Sequence, residues 1–269
     1  EIDGQLLCGH NEGTFNVTGD RIEKISAVNG GWTIKKLNSN PDYLIQGTYN
    51  GLVLFKKDAT GKWKFYYKIE NFGEPSRYVE QDSRGDIWVR HAYKGLYKLT
   101  LSPDFKKVIS VEHYDEKKGL PNDYNINIFN IENKMVFSSD RGFLLYDEIS
   151  DRFFKYTILN RELGSFAASN KIISAGSKKY WFINHGKMTL VNLSTPGRIQ
   201  IDSSSFSVLD GRMVQYYENI SKIRDQIYLI SVDDGFVIYN ATGEPENKQR
   251  INIPAVLICT QPECFFLNK

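Results

Sequence analysis

The 269-residue sequence predicts an all-β propeller built of four-stranded blades, about six of them. Three observations predict it. Glycines recur in comparable surroundings roughly every 45 residues, at Gly13, Gly51, Gly95, Gly142, Gly186 and Gly235. Each ends a short polar turn between two apolar runs, the signature of a hairpin. Those runs are rich in β-branched and aromatic residues, and no 11-residue window between breakers keeps the i, i+3, i+4, i+7 spacing of an amphipathic helix. A truncated or seven-bladed ring is the structural alternative.

The units follow in chain order, with strands A to D counted outward from the propeller axis. Asp3-Gly4 reads as an A to B turn, so the first unit has B at 6–9, C at 14–18 and D at 22–26, but no A. In the second, Gly47-Thr48-Tyr49-Asn50-Gly51 leads into the apolar strand Leu52-Val53-Leu54-Phe55. The third is the best formed: A at 77–81, the turn Asp82-Ser83-Arg84-Gly85-Asp86, B at 86–90, C at 95–101 and D at 108–114. The fourth reads 124–131, 134–137, 142–146 and 153–158. Gly186 marks a weaker fifth copy, and Gly235 a sixth whose outer strand is expected at 249–253. The propeller is thus expected to span 1–253. The spare extended segment at 255–258 either fills the missing strand A beside 6–9 or opens a following domain. Closure of the first blade would bring Cys259 toward Cys8 and permit a disulfide.

These units resemble the propeller repeats of periplasmic sensor regions in Bacteroidetes hybrid two-component regulators and related membrane-spanning transcriptional regulators. That family repeats Asp-x-x-Gly-x-Ile-Trp-x-Gly-Thr-x-x-Gly-Leu, often with Gly-Leu-Pro-x-Asn before the next blade. Residues 82–96 match it, with Arg90-His91 in place of Gly-Thr and one residue inserted. Gly47-Thr48 through Leu52 matches its second half, and Gly119-Leu120-Pro121-Asn122 matches the interblade segment. The remaining copies carry Ser-Ser or Ile-Asn where Gly-Thr is expected. The resemblance implies a periplasmic, non-catalytic sensing role in signal transduction and transcription regulation, with a polysaccharide-derived oligosaccharide as ligand. It also implies an immunoglobulin-like domain beginning near 254–269, and output modules elsewhere in the same regulator. Expected partners are that ligand, the regulator's other domains and a second copy of the chain.

Composition removes several classes. With 34 basic and 32 acidic side chains the net charge is only +2, which gives no electrostatic reason to expect nucleic acid or an acidic lipid surface. No run approaches the roughly 20 apolar residues that cross a bilayer, and Glu1-Ile2-Asp3-Gly4 lacks the parts of a signal peptide, as a mature chain or an excised domain would. Three cysteines are too few for a disulfide scaffold, and an odd number cannot all pair within one chain.

Neither metal nor cofactor is expected. His10, His91, His113 and His185 lack Glu partners at ligand spacing, although three of them recur near B to C turns. Cys259 and Cys264 form a single pair without further ligands. Asp82 to Asp86 offers only a fragment of a calcium loop, with Arg84 opposing a cation, and Asn29-Gly30-Gly31 is not a phosphate fingerprint. Catalysis would need a nucleophile with its partners or two acids across one ligand, and no such set is evident.

Blade topology directs the search for a site. B to C turns and D to A connections share one face, which gathers a polar, aromatic surface of mixed charge. Such a surface can stack sugar rings and bond their hydroxyls. The candidate ligand residues are Trp32, Arg90, His91, Tyr93 and His185, each with a plain reading beside it: a core anchor for Trp32, and turn or rim residues for the others. Trp88 and Trp181, at matched B positions, read as interblade core. A protein-docking propeller and a polysaccharide lyase or glycoside hydrolase are the competing functions.

Overall fold

The computed structural model describes residues 1–195, 198–215, 217–241 and the backbone of 256–260 and 263–267. The chain falls into two compact units, Glu1–Glu218 and Asn219–Lys269.

Five antiparallel blades make up the first unit. Blade 1 has three strands, β1 (Leu6–His10), β2 (Gly13–Thr18) and β3 (Arg21–Ser26). Blade 2 has four: β4 (Ile34–Lys36), β5 (Tyr43–Thr48), β6 (Gly51–Lys57) and β7 (Trp63–Lys68). Blade 3 runs through β8 (Tyr78–Gln81), β9 (Ile87–Arg90), β10 (Leu96–Leu101) and β11 (Val108–Tyr114). Blade 4 contains β12 (Asn127–Ile131), β13 (Lys134–Ser139), β14 (Gly142–Asp147) and β15 (Arg152–Lys155). The fifth is formed by β16 (Lys171–Gly176), β17 (Lys179–Asn184), β18 (Lys187–Asn192) and β19 (Gln200–Asp202). In the second unit, β20 (Ile220–Arg224), β21 (Ile227–Val232) and β22 (Gly235–Asn240) form the sixth blade sheet, and β23 (Val256–Thr260) pairs with β24 (Glu263–Leu267).

Alternation along the strands explains how the blades of the first unit pack. On β6, Leu52 and Leu54 enter one core layer with Val79, Ile87 and Val89 of blade 3, whereas Val53 and Phe55 enter another with Ile25 of blade 1. A strand buried on both faces therefore reads as the unbroken run Leu-Val-Leu-Phe. Trp88 likewise turns away from Ile87 and Val89 to join Phe137, Leu144 and Phe153 of blade 4. Trp88 and Trp181 are both fully buried, in keeping with their matched positions.

One difference from the sequence reading stands out. The outer strand expected at 153–158 stops at Lys155, and α1 (Thr157–Leu163) follows it. This helix buries Leu159 and Leu163, one turn apart, and is too short for an 11-residue window to register. It also carries Asn160, whose amide pairs with both backbone groups of Phe143, at 2.7 and 2.9 Å. A Cβ at Gly142 would stand 2.9 Å from Asn160 Oδ1, so that approach requires the glycine. At the spare extended segment, β23 pairs antiparallel with β24. Strand D of the sixth unit, at 249–253, and the side chains of Cys259 and Cys264 lie outside the described residues, and with them the disulfide expectation.

Candidate functional site

Four B to C turns share one hydrogen-bonding device. In each, the residue ending the B side accepts, through its side chain, the N–H two residues on: Glu12 to His10 Nδ1 (3.2 Å), Asn50 to Thr48 Oγ1 (3.2 Å), Tyr93 to His91 Nδ1 (3.1 Å) and Arg141 to Ser139 Oγ (3.1 Å). Short acceptors that bond the chain two residues ahead are the usual braces of tight turns. Histidine thus substitutes for threonine at His10 and His91, which accounts for these two turn histidines. Among the described residues, no three His, Cys, Asp or Glu side chains come together as metal ligands.

The position just before the brace decides where the face opens. Gly9 and Gly47 occupy it in blades 1 and 2, paired with Thr14 and Leu52. There the next D to A connection presses on the backbone: a Cβ would fall 2.4 Å from Gly31 O at Gly9 and 1.6 Å from Ser76 O at Gly47. In blades 3 and 4 the same position holds Arg90 and Ser138, paired with Leu96 and Phe143. Both line a cleft of about 260 Å³.

That cleft is assembled from consecutive turns and connections of blades 3, 4 and 5. Arg77, Tyr78 and Arg90 form one wall, where both guanidinium groups lie over the Tyr78 ring, at 5.6 and 5.1 Å from its centroid. Arg90 Nη1 also donates to Asn127 Oδ1 at 2.9 Å, which fixes its orientation across the cleft. The lining also includes Asn170, Lys171, His185 and Glu218. His185 and Gly186 make a two-residue hairpin turn with φ of 47° and 80°, as turns with two left-handed residues require. The His185 N–H donates to Asn170 Oδ1 at 2.9 Å, and Asn170 Nδ2 donates to Glu218 Oε1 at 3.0 Å. Glu218 is 1% exposed, and its Oε2 has no hydrogen-bond partner. A buried carboxylate oxygen left without a donor is costly, so this atom calls for one from outside the chain. Burial pushes the Lys171 ammonium below its ordinary range, against the pull of Glu218 and with Arg77 and Lys35 adding repulsion.

Of the sequence candidates, Arg90, Tyr93 and His185 line the cleft. Trp32 does not: it packs edge-on against Tyr49 with ring centroids 4.7 Å apart, and its backbone N–H donates to Gly47 O. His91 is buried behind the turn, with Nε2 3.4 Å from Glu74 Oε2, and contributes by holding Tyr93. Tyr93 itself is 82% exposed at the lip. Sequence reasoning missed Tyr78, Asn127, Lys171 and Glu218 as site residues. The available signal was the departure of Arg90-His91 from the Gly-Thr of the repeat.

No family model matches the chain, and no curated protein does. Among solved structures it is similar to the extracellular domain of the hybrid two-component system BT4673 of B. thetaiotaomicron, with a TM-score of 0.58 and 16% identity over 89% of this chain and 34% of that one. The corresponding domain of BT3049 from the same organism gives 0.55 and 17% over 85% and 30%. A streptogramin B lyase gives 0.52 and 14%, covering 89% and 80%. The chain thus spans about a third of the two extracellular domains it matches. These likenesses establish the propeller fold; one fold occurs both in two-component systems and in a lyase, so the function rests on the site.

Proposed function

We propose that this propeller is a non-catalytic sensing region of an extracytoplasmic signal-transduction regulator, located in the periplasm, and that its cleft binds a polysaccharide-derived oligosaccharide. The observation that carries this reading is Glu218, buried at the cleft with one carboxylate oxygen lacking a donor. Sugar hydroxyls are donors of the right kind, and the Tyr78 and Tyr93 rings offer the apolar faces on which pyranose C–H groups stack. The shared fold with extracellular domains of two-component systems and the repeat resemblance support the location and the signalling role. On this reading the partners are the remaining domains of the same regulator and a second copy of the chain.

Calorimetry and thermal shift against a panel of neutral and acidic oligosaccharides test it. Saturable binding without product, weakened by Arg90→Ala, Tyr93→Ala or His185→Ala at nearly unchanged melting temperature, is the expected outcome. Product formation would replace the reading with a lyase or hydrolase. Silence across the panel, beside capture of a stable protein partner, would replace it with docking.

A further inference from the structure

The charges in the cleft narrow the ligand class. Three cations, Arg77, Arg90 and Lys171, face two carboxylates, Glu218 and Asp140, leaving one positive charge in excess. Asp140 already accepts from Asn122 Nδ2 at 3.1 Å, and Glu218 Oε1 from Asn170. Among the described residues neither Arg77 nor Lys171 has a carboxylate within ion-pair distance. A partly buried ammonium and an adjacent guanidinium that are ion-paired to no carboxylate, with the cleft cations outnumbering its carboxylates, are poised for an anion, because a partly desolvated cation gains most from a direct partner. An inorganic anion would satisfy the cations but not Glu218, which needs a donor and repels a second negative charge. A ligand carrying an anionic group and hydroxyls on one ring meets both demands. The volume, about 260 Å³, is at the small end for ligand cavities and suits one or two sugar units.

We propose that the cleft takes an anionic sugar unit, its carboxylate or sulfate ester held between Arg77, Arg90 and Lys171 while a neighbouring hydroxyl donates to Glu218 Oε2. This rests on the saccharide-binding reading above. The Tyr78 ring orients the two guanidinium groups toward the anion, and the hydroxyl contact at Glu218 selects a sugar over a simple anion.

Titration calorimetry on the whole chain uses four probes: trigalacturonate, a sulfated disaccharide, neutral galactotriose and inorganic sulfate. At least one anionic saccharide is expected to bind tenfold or more tightly than galactotriose and than sulfate, with affinity falling as salt rises. Arg77→Gln and Lys171→Met should each weaken that anionic saccharide at least tenfold while changing the neutral affinity little. Glu218→Gln should weaken both kinds of saccharide and tighten sulfate, since the hydroxyl acceptor and the charge that repels a simple anion are lost together. The two anionic arms separate a uronate site from a sulfate-ester site. Galactotriose binding as tightly as the anionic sugars, or unaltered anionic binding in the folded Arg77→Gln variant, overturns the anionic assignment and leaves the saccharide reading standing. If no saccharide binds, the saccharide reading falls and takes this inference with it. Tight sulfate binding without any preference for sugars identifies a plain anion site and also overturns it. Arg77 is exposed, so its variant remains a test even if changes at Lys171 or Glu218 impair folding.

Discussion

Tyr93 donates its backbone N–H to Nδ1 of His91 across 3.1 Å, so this imidazole keeps a bare lone pair on Nδ1 and its proton on Nε2, toward Glu74. Burial pushes His91 below its ordinary value of 6.5, outweighing the opposing pull of Glu74. The unfolded chain therefore binds this proton more readily than the folded one. The stabilising contribution is whole above about pH 6.5 and is lost as pH falls through the lower folded value. His91→Thr, which supplies the acceptor used by Thr48, should hold its melting temperature better than the wild type between pH 6.5 and 5. His91→Ala should cost about 1 kcal/mol at neutral pH, the worth of one hydrogen bond. Melting curves at several pH values check both, and an identical pH response in wild type and His91→Thr would contradict this account.

Trp88 joins a turn to a core. Its Nε1 donates to Asp82 Oδ2 at 2.9 Å, and its ring packs within about 5 Å of Tyr114, Phe137 and Tyr146. Trp88→Ala should destabilise by about 3–5 kcal/mol through lost burial and a cavity. Trp88→Phe keeps an aromatic ring but removes the indole donor, so it should cost roughly 1–3 kcal/mol. Urea midpoints distinguish the two, and a Trp88→Phe loss near zero would show that the hydrogen bond contributes nothing separable.

At Gly47 a methyl group has nowhere to go. Its Cβ would lie 1.6 Å from Ser76 O, while the Ser76 N–H donates to Thr48 O at 2.9 Å and holds that connection close. Gly47→Ala should therefore destabilise by about 1–3 kcal/mol or more. Gly73 lies in the same connection with no atom within 4 Å of an added Cβ and no positive φ. Gly73→Ala should stay within about 0.5 kcal/mol of the wild type. Denaturant unfolding of the two variants side by side is the measurement.

Asp151 anchors the outer edge of blades 3 and 4. Its Oδ2 meets Lys118 Nζ at 2.6 Å, and Oδ1 accepts from Tyr146 and Tyr114 at 2.7 and 2.8 Å. Lys118 foremost, and then the two phenols, lower its pKa to about 2. Burial raises both tyrosines, Tyr146 to about 12, so they remain neutral donors at ordinary pH. A depressed carboxylate contributes stability above its ordinary value of 3.8 and loses it as pH falls through about 2. Asp151→Asn should lower the melting temperature at pH 7, with the difference from wild type closing between pH 4 and 2. A gap that persists below pH 2 would assign the loss to packing.

The strands were legible because their causes are local. For the third unit, the readings 77–81, 86–90, 95–101 and 108–114 meet Tyr78–Gln81, Ile87–Arg90, Leu96–Leu101 and Val108–Tyr114. Alternation of apolar residues and a turn glycine determine each hairpin without reference to the rest of the chain. The helix α1 escaped because seven residues with two buried leucines carry almost no periodic signal. Arg90, Tyr93 and His185 could be named because topology places B to C turns on one face. Lys171 and Glu218 could not, since each lies at the end of a polar connection and acquires its meaning only from burial beside residues dozens of positions away. Trp32 shows the same dependence: a large ring next to Gly30-Gly31 reads equally as a core anchor or a ligand platform, and in the fold Tyr49 packs over Gly30, where a Cβ would fall 2.1 Å from its ring.

The brace shared by His10, Thr48, His91 and Ser139 has an engineering consequence. Since the turn closes on either an imidazole or a hydroxyl, the preceding residue can be exchanged without rewriting the hairpin around it wherever, as in blades 3 and 4, no neighbouring connection presses on it. Gly47, Arg90 and Ser138 are three settings of that one dial. Blades 3 and 4 then behave as cassettes: exchanging their B to C segments would add or erase one wall of a recognition surface while the strand ladder beneath is left intact, whereas the glycines of blades 1 and 2 hold their turns closed. A protein of this kind can be retuned to a new ligand one turn at a time.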